Sequence, residues 1–203
     1  GSTGARPIVA FDFDGTLTTV DSFTAFLAWR VTRRRHLRGL LSLIPATVLY
    51  LGDRDRGRLK AAAVHEFLRG LRRVDLEAEA EAFAGGEGDR LLRPDALETW
   101  RRWGADGAFR VIVTASPETV VAPFARRLGA DALIGTRLAF DGQDRVAGDF
   151  AGENCRGPEK VARLRQAFGP ALRLAAAYGD TSGDREMLAI AEVKGYRVFK
   201  GKP

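Results

Sequence analysis

The sequence predicts an α/β fold: a parallel sheet with helices on both faces and a helical insertion near the N-terminus. Three observations carry this. Short runs suited to buried strands recur along the chain, at Ile8–Phe11, Arg110–Thr114, Ala132–Gly135, Leu172–Gly179 and Tyr196–Phe199. Helical segments separate them, and strand–helix alternation of this kind builds a parallel sheet covered on both sides. The stretch from about Ser22 to Ala84 reads as helix and fits as an insertion above the strand ends. At 203 residues the chain is long enough for one sizeable core, or for a core with an inserted cap.

Taken in order, Ile8–Phe11 is the first strand, with Asp12 and Asp14 at its end and Gly15 free to turn sharply. Gly85-Gly86-Glu87-Gly88 is expected to break the helical stretch. Pro94 opens a helix through Trp103 that Gly104 ends. Arg110–Thr114 is the second strand. Ser116 reads as a helix N-cap with Pro117 at the first helical position, and that helix runs to Leu128. A strand follows near Ala132–Gly135, and Leu138–Gly148 reads as a hairpin turning at Asp141-Gly142. Pro158 starts a helix to Phe168. The fourth strand, Leu172–Gly179, leads to a short helix, Arg185–Ala191, and a last strand, Tyr196–Phe199.

Composition narrows the class. Hydrophobic residues make up 45% and charged residues 29%, so the chain folds as a globular protein and not as a disordered one. The formal net charge is +6, carried mostly by arginine; the lysines are Lys60, Lys160, Lys194, Lys200 and Lys202. No nucleic-acid motif accompanies that charge, so no nucleic-acid partner is expected. Cys155 is the single cysteine, so no intrachain disulfide forms, in keeping with a reducing, cytoplasmic setting. The first apolar stretch is short and leads straight into two aspartates, so a secretory leader is not expected.

The strand ends carry the chemistry. Residues i and i+2 of an extended chain point to the same side, so Asp12 and Asp14 crowd one volume. At ~4 Å and an effective dielectric of ~20 their charges repel by roughly 4 kcal/mol, which asks for a metal or a reaction to use them. An ordinary Asp-Gly turn is the alternative reading. Thr114-Ala115-Ser116 places hydroxyls at a strand end before a helix, a seat for an oxyanion. Lys160 lies in the first turn of its helix, where the dipole disfavours a cation, and suits a phosphoryl group or an aspartate. Asp180 and Asp184 stand just past the fourth strand, with Asp184 also readable as an N-cap. Up to four carboxylates therefore gather at adjacent strand ends, a hard oxygen set suited to Mg²⁺ together with water and substrate phosphate. No His/Cys cluster suits zinc, and His36 and His65 read as structural or surface groups.

These four segments, in this order, resemble the haloacid dehalogenase superfamily of phosphotransferases over Asp12 to Asp184, nearly the whole chain. The resemblance implies a Rossmann-like core, residues 5–20 and 85–203, and an all-helical C1 cap, residues 21–84, as in the phosphoserine-phosphatase-like branch. It implies Asp12 as the nucleophile that forms an aspartyl-phosphate, and Asp14 as the acid and base for leaving group and water. Thr114 and Lys160 would hold the phosphoryl oxygens. Mg²⁺ would be bound by Asp12, the main-chain carbonyl of Asp14 and Asp180, with Asp184 orienting its outer shell. Gly15 after the second aspartate, and Thr114-Ala115-Ser116, depart from the Ser and Ser-Gly-Gly of many phosphoserine phosphatases.

The insertion bears on substrate. No acidic residue occurs between Ser22 and Gly52, and Arg30, Arg33, Arg34, Arg35 and Arg38 precede the apolar run Leu40–Leu51. That run is shorter than the ~20 residues a bilayer span needs. Beside the basic cluster, and with Trp29 and Tyr50 near its ends, it fits a segment lying on an anionic membrane surface. A helix pair packing its leucines on the core with a solvated arginine face fits as well. Asp21-Ser22-Phe23, Phe26-Leu27 and Cys155-Arg156-Gly157-Pro158-Glu159-Lys160-Val161 are similar to bacterial phosphatidylglycerophosphatase C enzymes. That resemblance implies a phospholipid head group as substrate at the inner membrane face. A soluble phosphorylated metabolite, such as phosphoserine or histidinol phosphate, is the other expectation.

Overall fold

The computed structural model describes residues 5–38 and 56–203. Its elements run β1 (Ile8–Phe11), α1 (Ser22–Arg38), α2 (Arg56–Leu68), α3 (Arg73–Leu91), α4 (Pro94–Ala105), β2 (Phe109–Pro117), α5 (Glu118–Arg127), β3 (Ala132–Thr136), β4 (Leu138–Phe140), β5 (Val146–Phe150), α6 (Pro158–Phe168), β6 (Leu174–Gly179), α7 (Arg185–Ala189) and β7 (Ala191–Tyr196). Five strands form one parallel sheet in the order β3-β2-β1-β6-β7, and β4 with β5 forms a separate antiparallel hairpin. The strand carrying Asp12 at its end is central, flanked by β2 and β6.

Both faces of the sheet are covered, so its strands are apolar on both sides. On one face Val9, Phe11 and Ile112 pack with Trp100, Val120 and Phe124 from α4 and α5. On the other, Ala10, Val111, Val113 and Ala177 meet Val161, Leu164 and Met187 from α6 and α7. Phe11 is the hub of the first face. Its ring meets Trp100 edge-on at 5.0 Å and stacks on Tyr178 at 4.5 Å, arrangements that favour aromatic pairs beyond simple area burial.

Three expectations need correction. The glycines at 85, 86 and 88 do not break the helix; α3 continues to Leu91. Each glycine costs about 1 kcal/mol in a helix, but packing outweighs it. Phe83 sits among the rings of Phe26, Trp29 and Phe124, and Gly88 is buried close to Phe124. The last strand is Ala191–Tyr196, earlier than the run Tyr196–Phe199. It is an exposed edge strand carrying Glu192 and Lys194, so it lacks the apolar signature, while Phe199 beyond it packs on Tyr178 at 5.2 Å. Ser116 does not cap α5; β2 extends through Pro117, and the Ser116 hydroxyl turns elsewhere.

Within the insertion, α1 packs on α3 and α5, and α2 lies on β5. Arg30 is not part of a surface cluster. It is 6% exposed, its Nε donates to Glu79, and its Nη1 donates to the Phe67 carbonyl at 2.9 Å. Arg33 stacks over Trp29 at 5.2 Å, and Arg34 lies 3.7 Å from Glu79. Trp29 itself packs on Phe26 and Phe83. The run Leu40–Leu51 with Tyr50, and the side chains of Arg35 and Arg38, lie outside the described residues. Among the described residues no helix is long and apolar enough to cross a membrane. Because Arg30 joins α1 to both α2 and α3, Arg30→Ala should lower stability by about 2–3 kcal/mol, measured by urea unfolding. Arg34→Ala, at an exposed position, should change it little; equal losses from both would deny Arg30 this role.

Candidate active site

The site forms where β1, β2 and β6 end. The amide of Asp12 still bonds the Tyr178 carbonyl at 2.9 Å, so the sheet ladder holds Asp12 one residue past β1. The chain then folds through a tight turn, Phe13–Leu17, in which Gly15 has φ 78°. A Cβ at Gly15 would overlap the carboxylate of Asp180, so both conformation and space require glycine there. The residue that departs from the Ser of phosphoserine phosphatases is thus fitted to this site.

The turn separates the two carboxylates. Asp12 Oδ1 accepts from Lys160 Nζ at 2.7 Å, and Oδ2 accepts from the Thr16 hydroxyl at 3.3 Å. Asp14 faces the other way. It accepts from the amide of Ser22 at 2.6 Å, the hydroxyl of Ser116 at 2.5 Å and that of Thr114 at 3.4 Å. The Ser22 amide is the first of α1, where helix N–H groups lack internal partners.

Lys160 is 2% exposed and spends all three of its donors: on Asp12, on the Val113 carbonyl at 2.9 Å and on Asp184 at 2.6 Å. Burial works against its charge, but Asp12 and Asp184 more than offset that and hold it protonated. Asp184 Oδ2 accepts from the amides of Asp180 and Thr181 at 3.0 and 3.1 Å, so its carboxylate shapes the loop behind it and makes no cap on α7. Asp12 is pushed well up by burial; Lys160 opposes this, and Asp184, Asp180 and Asp14 add to it. Asp14 is raised chiefly by burial and then by Asp21, with Lys60 and the hydrogen bonds from Ser116 and Ser22 acting against the rise.

Carboxylate oxygens of Asp12, Asp180 and Asp184 come within 4.8 Å of one another. One lysine answers this cluster, leaving negative charge in excess, and the donors are hard oxygens. The residues present therefore fit Mg²⁺. The carboxylate of Asp14 stands outside the cluster, and its main-chain carbonyl is the part the sequence reading assigned to the metal. Thr114 is fully buried beside Asp14, its hydroxyl also accepting from the Ser116 amide at 3.0 Å.

Other residues of the cleft were not singled out from sequence. Lys60 reaches in from α2, lying 2.9 Å from Asp21, 3.2 Å from the Ser116 hydroxyl and 3.9 Å from Asp14. Burial opposes its charge, but Asp14 and Asp21 outweigh that and keep it protonated. Asp21 also resists burial: Lys60 and the amide of Thr24 hold it below the usual carboxylate range. Lysine scarcity, the signal that marked Lys160, applies equally to Lys60. Asn154 and Arg156 line the same cleft. Cys155 is buried next to them with its thiol pushed up to about 11, chiefly by burial, so it is no competing nucleophile. His65 is exposed, bonded to Arg69, and takes no part.

A parallel sheet whose central strand ends in a lysine-held aspartate, with a second aspartate aimed into the same cleft, is an α/β architecture with its titratable groups gathered at the strand ends, and the family match gives its class as hydrolase. The chain belongs to the haloacid dehalogenase-like hydrolases, whose family model matches residues 9–189. It is 59% identical to Protein CicA of Caulobacter vibrioides, the match covering 100% of this chain and 91% of that protein. Among solved structures it is similar to a protein of unknown function from Bordetella pertussis Tohama I, at 24% identity and TM-score 0.69, over 92% of this chain and 87% of that one. It is similar also to a phospho-aspartyl intermediate analogue of phosphoserine phosphatase, at 20% identity and TM-score 0.57, over 94% and 86%. These structures share its fold.

Proposed function

We propose that this hydrolase is a Mg²⁺-dependent phosphomonoesterase that works through an aspartyl-phosphate on Asp12, with a helical cap that begins at residue 21 and, because α3 is unbroken, runs past residue 84 to Leu91. The observation that carries the reading is the pairing of roles two residues apart. Asp12 is held by a buried lysine, and Asp14 is aimed separately into the cleft by Ser22 and Ser116. An alkoxide leaving group needs a proton, which a halide does not, and Asp14 sits where an acid is wanted. Its raised affinity for the proton suits that task.

An Asp12 carboxylate oxygen attacks phosphorus and the bond from phosphorus to the ester oxygen breaks. Asp14 gives its proton to the departing oxygen, and the alcohol leaves. Water then attacks the phosphorus of the aspartyl-phosphate, Asp14 takes a proton from it, and phosphate departs as the Asp12 carboxylate returns. Lys160, held on Asp12 Oδ1, keeps its positive charge beside the phosphoryl group through both steps. To bond a phosphoryl oxygen directly, Lys160 would have to exchange one of its three partners and Thr114 would have to turn its hydroxyl from Asp14. Asp12, Asp180 and the carbonyl of Asp14 would hold Mg²⁺, which supplies neutralising charge to the phosphoryl group.

The substrate favoured is a small phosphorylated metabolite. Lys60 and Asp21 bring both signs of charge to the cleft from the cap side, whereas two supports of the lipid reading, Arg30 and Trp29, are engaged inside the protein. Hydrolysis of p-nitrophenyl phosphate should stop in EDTA and return with Mg²⁺; undiminished turnover in EDTA would sink the metal-dependent reading. A panel of phosphoserine, histidinol phosphate and vesicle-borne phosphatidylglycerophosphate should give its highest kcat/KM on a soluble ester. A maximum on the vesicles would restore the lipid head group.

A further inference from the structure

Arg197 lies on the outer edge of the sheet and touches no group that acts on substrate, yet it holds the segment carrying Asp180 in two places. Its amide donates to the Gly179 carbonyl at 2.9 Å, and its Nε donates to the Asp180 carbonyl at 2.7 Å. It does so with φ 53°, a left-handed conformation that non-glycine residues seldom take and that persists where surrounding contacts impose it. Those contacts are visible. Tyr196 pairs with Gly179 in the β6–β7 register, and the guanidinium lies 5.1 Å from the Tyr196 ring. The positive φ lets both the amide and the side chain of one residue close on consecutive carbonyls.

The other groups around Asp180 leave one position for Arg197 to fill. The amide of Asp180 is taken by Asp184 at 3.0 Å. Its carboxylate rests over Gly15 and shares the one Thr16 hydroxyl proton with Asp12, one oxygen of each carboxylate lying 3.3 Å from that hydroxyl. Its carbonyl is taken by Arg197 alone among the described hydrogen bonds. With amide, carboxylate and carbonyl all fixed, the direction in which Asp180 presents its oxygens is set before any cation arrives.

We infer that Arg197 is a positioning residue for the metal site: by clamping the Gly179 and Asp180 carbonyls from outside, it preorganises the Asp180 carboxylate for a divalent cation. The inference rests on the Mg²⁺ reading given above. Partners that orient a ligand from behind typically contribute about tenfold or more to metal affinity, and the rigid, planar guanidinium fixes the direction of its Nε donor better than a freely rotating lysine ammonium would.

The test is Mg²⁺ binding by isothermal titration calorimetry, with thermal unfolding in EDTA measured alongside. Glycine suits φ 53°, so Arg197→Gly should fold with a metal-free Tm equal to or above that of wild type. Its Mg²⁺ Kd should nonetheless rise about tenfold. Turnover on p-nitrophenyl phosphate should fall at low Mg²⁺ and return to the wild-type kcat at saturating Mg²⁺. Arg197→Lys should fall between the two. Unchanged or tighter Mg²⁺ binding in Arg197→Gly would overturn the inference, and so would a kcat loss that Mg²⁺ does not restore. Asp180→Ala separates the two levels. If wild type binds Mg²⁺, Asp180→Ala does not, and Arg197→Gly matches wild type, only the role of Arg197 fails. If wild type binds no Mg²⁺, the metal reading fails and takes this inference with it.

Discussion

Asp12→Asn should reduce kcat at least about a thousandfold, roughly 4 kcal/mol of barrier, while the protein stays folded. The amide cannot form the acyl-phosphate, and among the described residues no other nucleophile stands in its place: the Cys155 thiol is buried, and Asp14 faces the other way, towards Ser22 and Ser116. Tm should hold or rise, because burial and three neighbouring carboxylates already disfavour the charge on Asp12. Steady-state kinetics and calorimetry on the same preparation decide it. Turnover above a thousandth of wild type in a fully folded variant would exclude covalent catalysis through this residue.

Lys160→Met should strike both function and stability. The lysine is buried between Asp12 and Asp184, and losing one partner of such an arrangement costs about 3–5 kcal/mol because the remaining charges stay in the interior. Methionine fills the space without supplying charge. Turnover should fall steeply, since Lys160 is the cation held against the nucleophile. Mg²⁺ at about a hundred times its Kd should return up to about 2.7 kcal/mol of the lost stability, because the ion binds only the folded cluster. A variant as stable as wild type in EDTA would show that Lys160 does not balance those carboxylates.

Much of this arrangement was legible in the chain because its signals are local. Asp12 and Asp14 follow an apolar run, Asp180 and Asp184 follow another, and strand ends are where open α/β sheets put their chemistry. The parallel sheet covered on both faces came from strand–helix alternation, whereas the Rossmann-like core, with β1 at its centre, was implied by the family resemblance and not by any local pattern. What escaped depends on contacts between distant residues. Nothing near Lys60 announces that α2 will bring it to Asp21 and Ser116, which lie 39 and 56 residues away by their numbers. The Ser116-Pro117 pair looks like a cap until Asp14 competes for the hydroxyl. Glycine weakens a helix in isolation, and only the rings around Phe83 explain why α3 survives three of them. β7 was displaced because an edge strand has little need of apolar residues on its exposed side.

The uninterrupted α3 has a mechanical consequence. Its 19 residues make a rod of about 28 Å. One end is fastened to the β4–β5 hairpin, where Arg73 bonds Asp144 through both its amide and its side chain and Arg72 bridges to Arg145. The other end is fastened to the chain just beyond the Asp12–Leu17 turn, through Thr19 to Leu91 and Arg93 to Leu17. α3 thus ties the hairpin to the chain that follows the turn carrying Asp14, through hydrogen bonds at both of its ends. Loosening the far anchor with Arg73→Ala should therefore quicken amide exchange at Thr18 and Thr19, and exchange there as slow as in wild type would show that α3 does not couple its two ends.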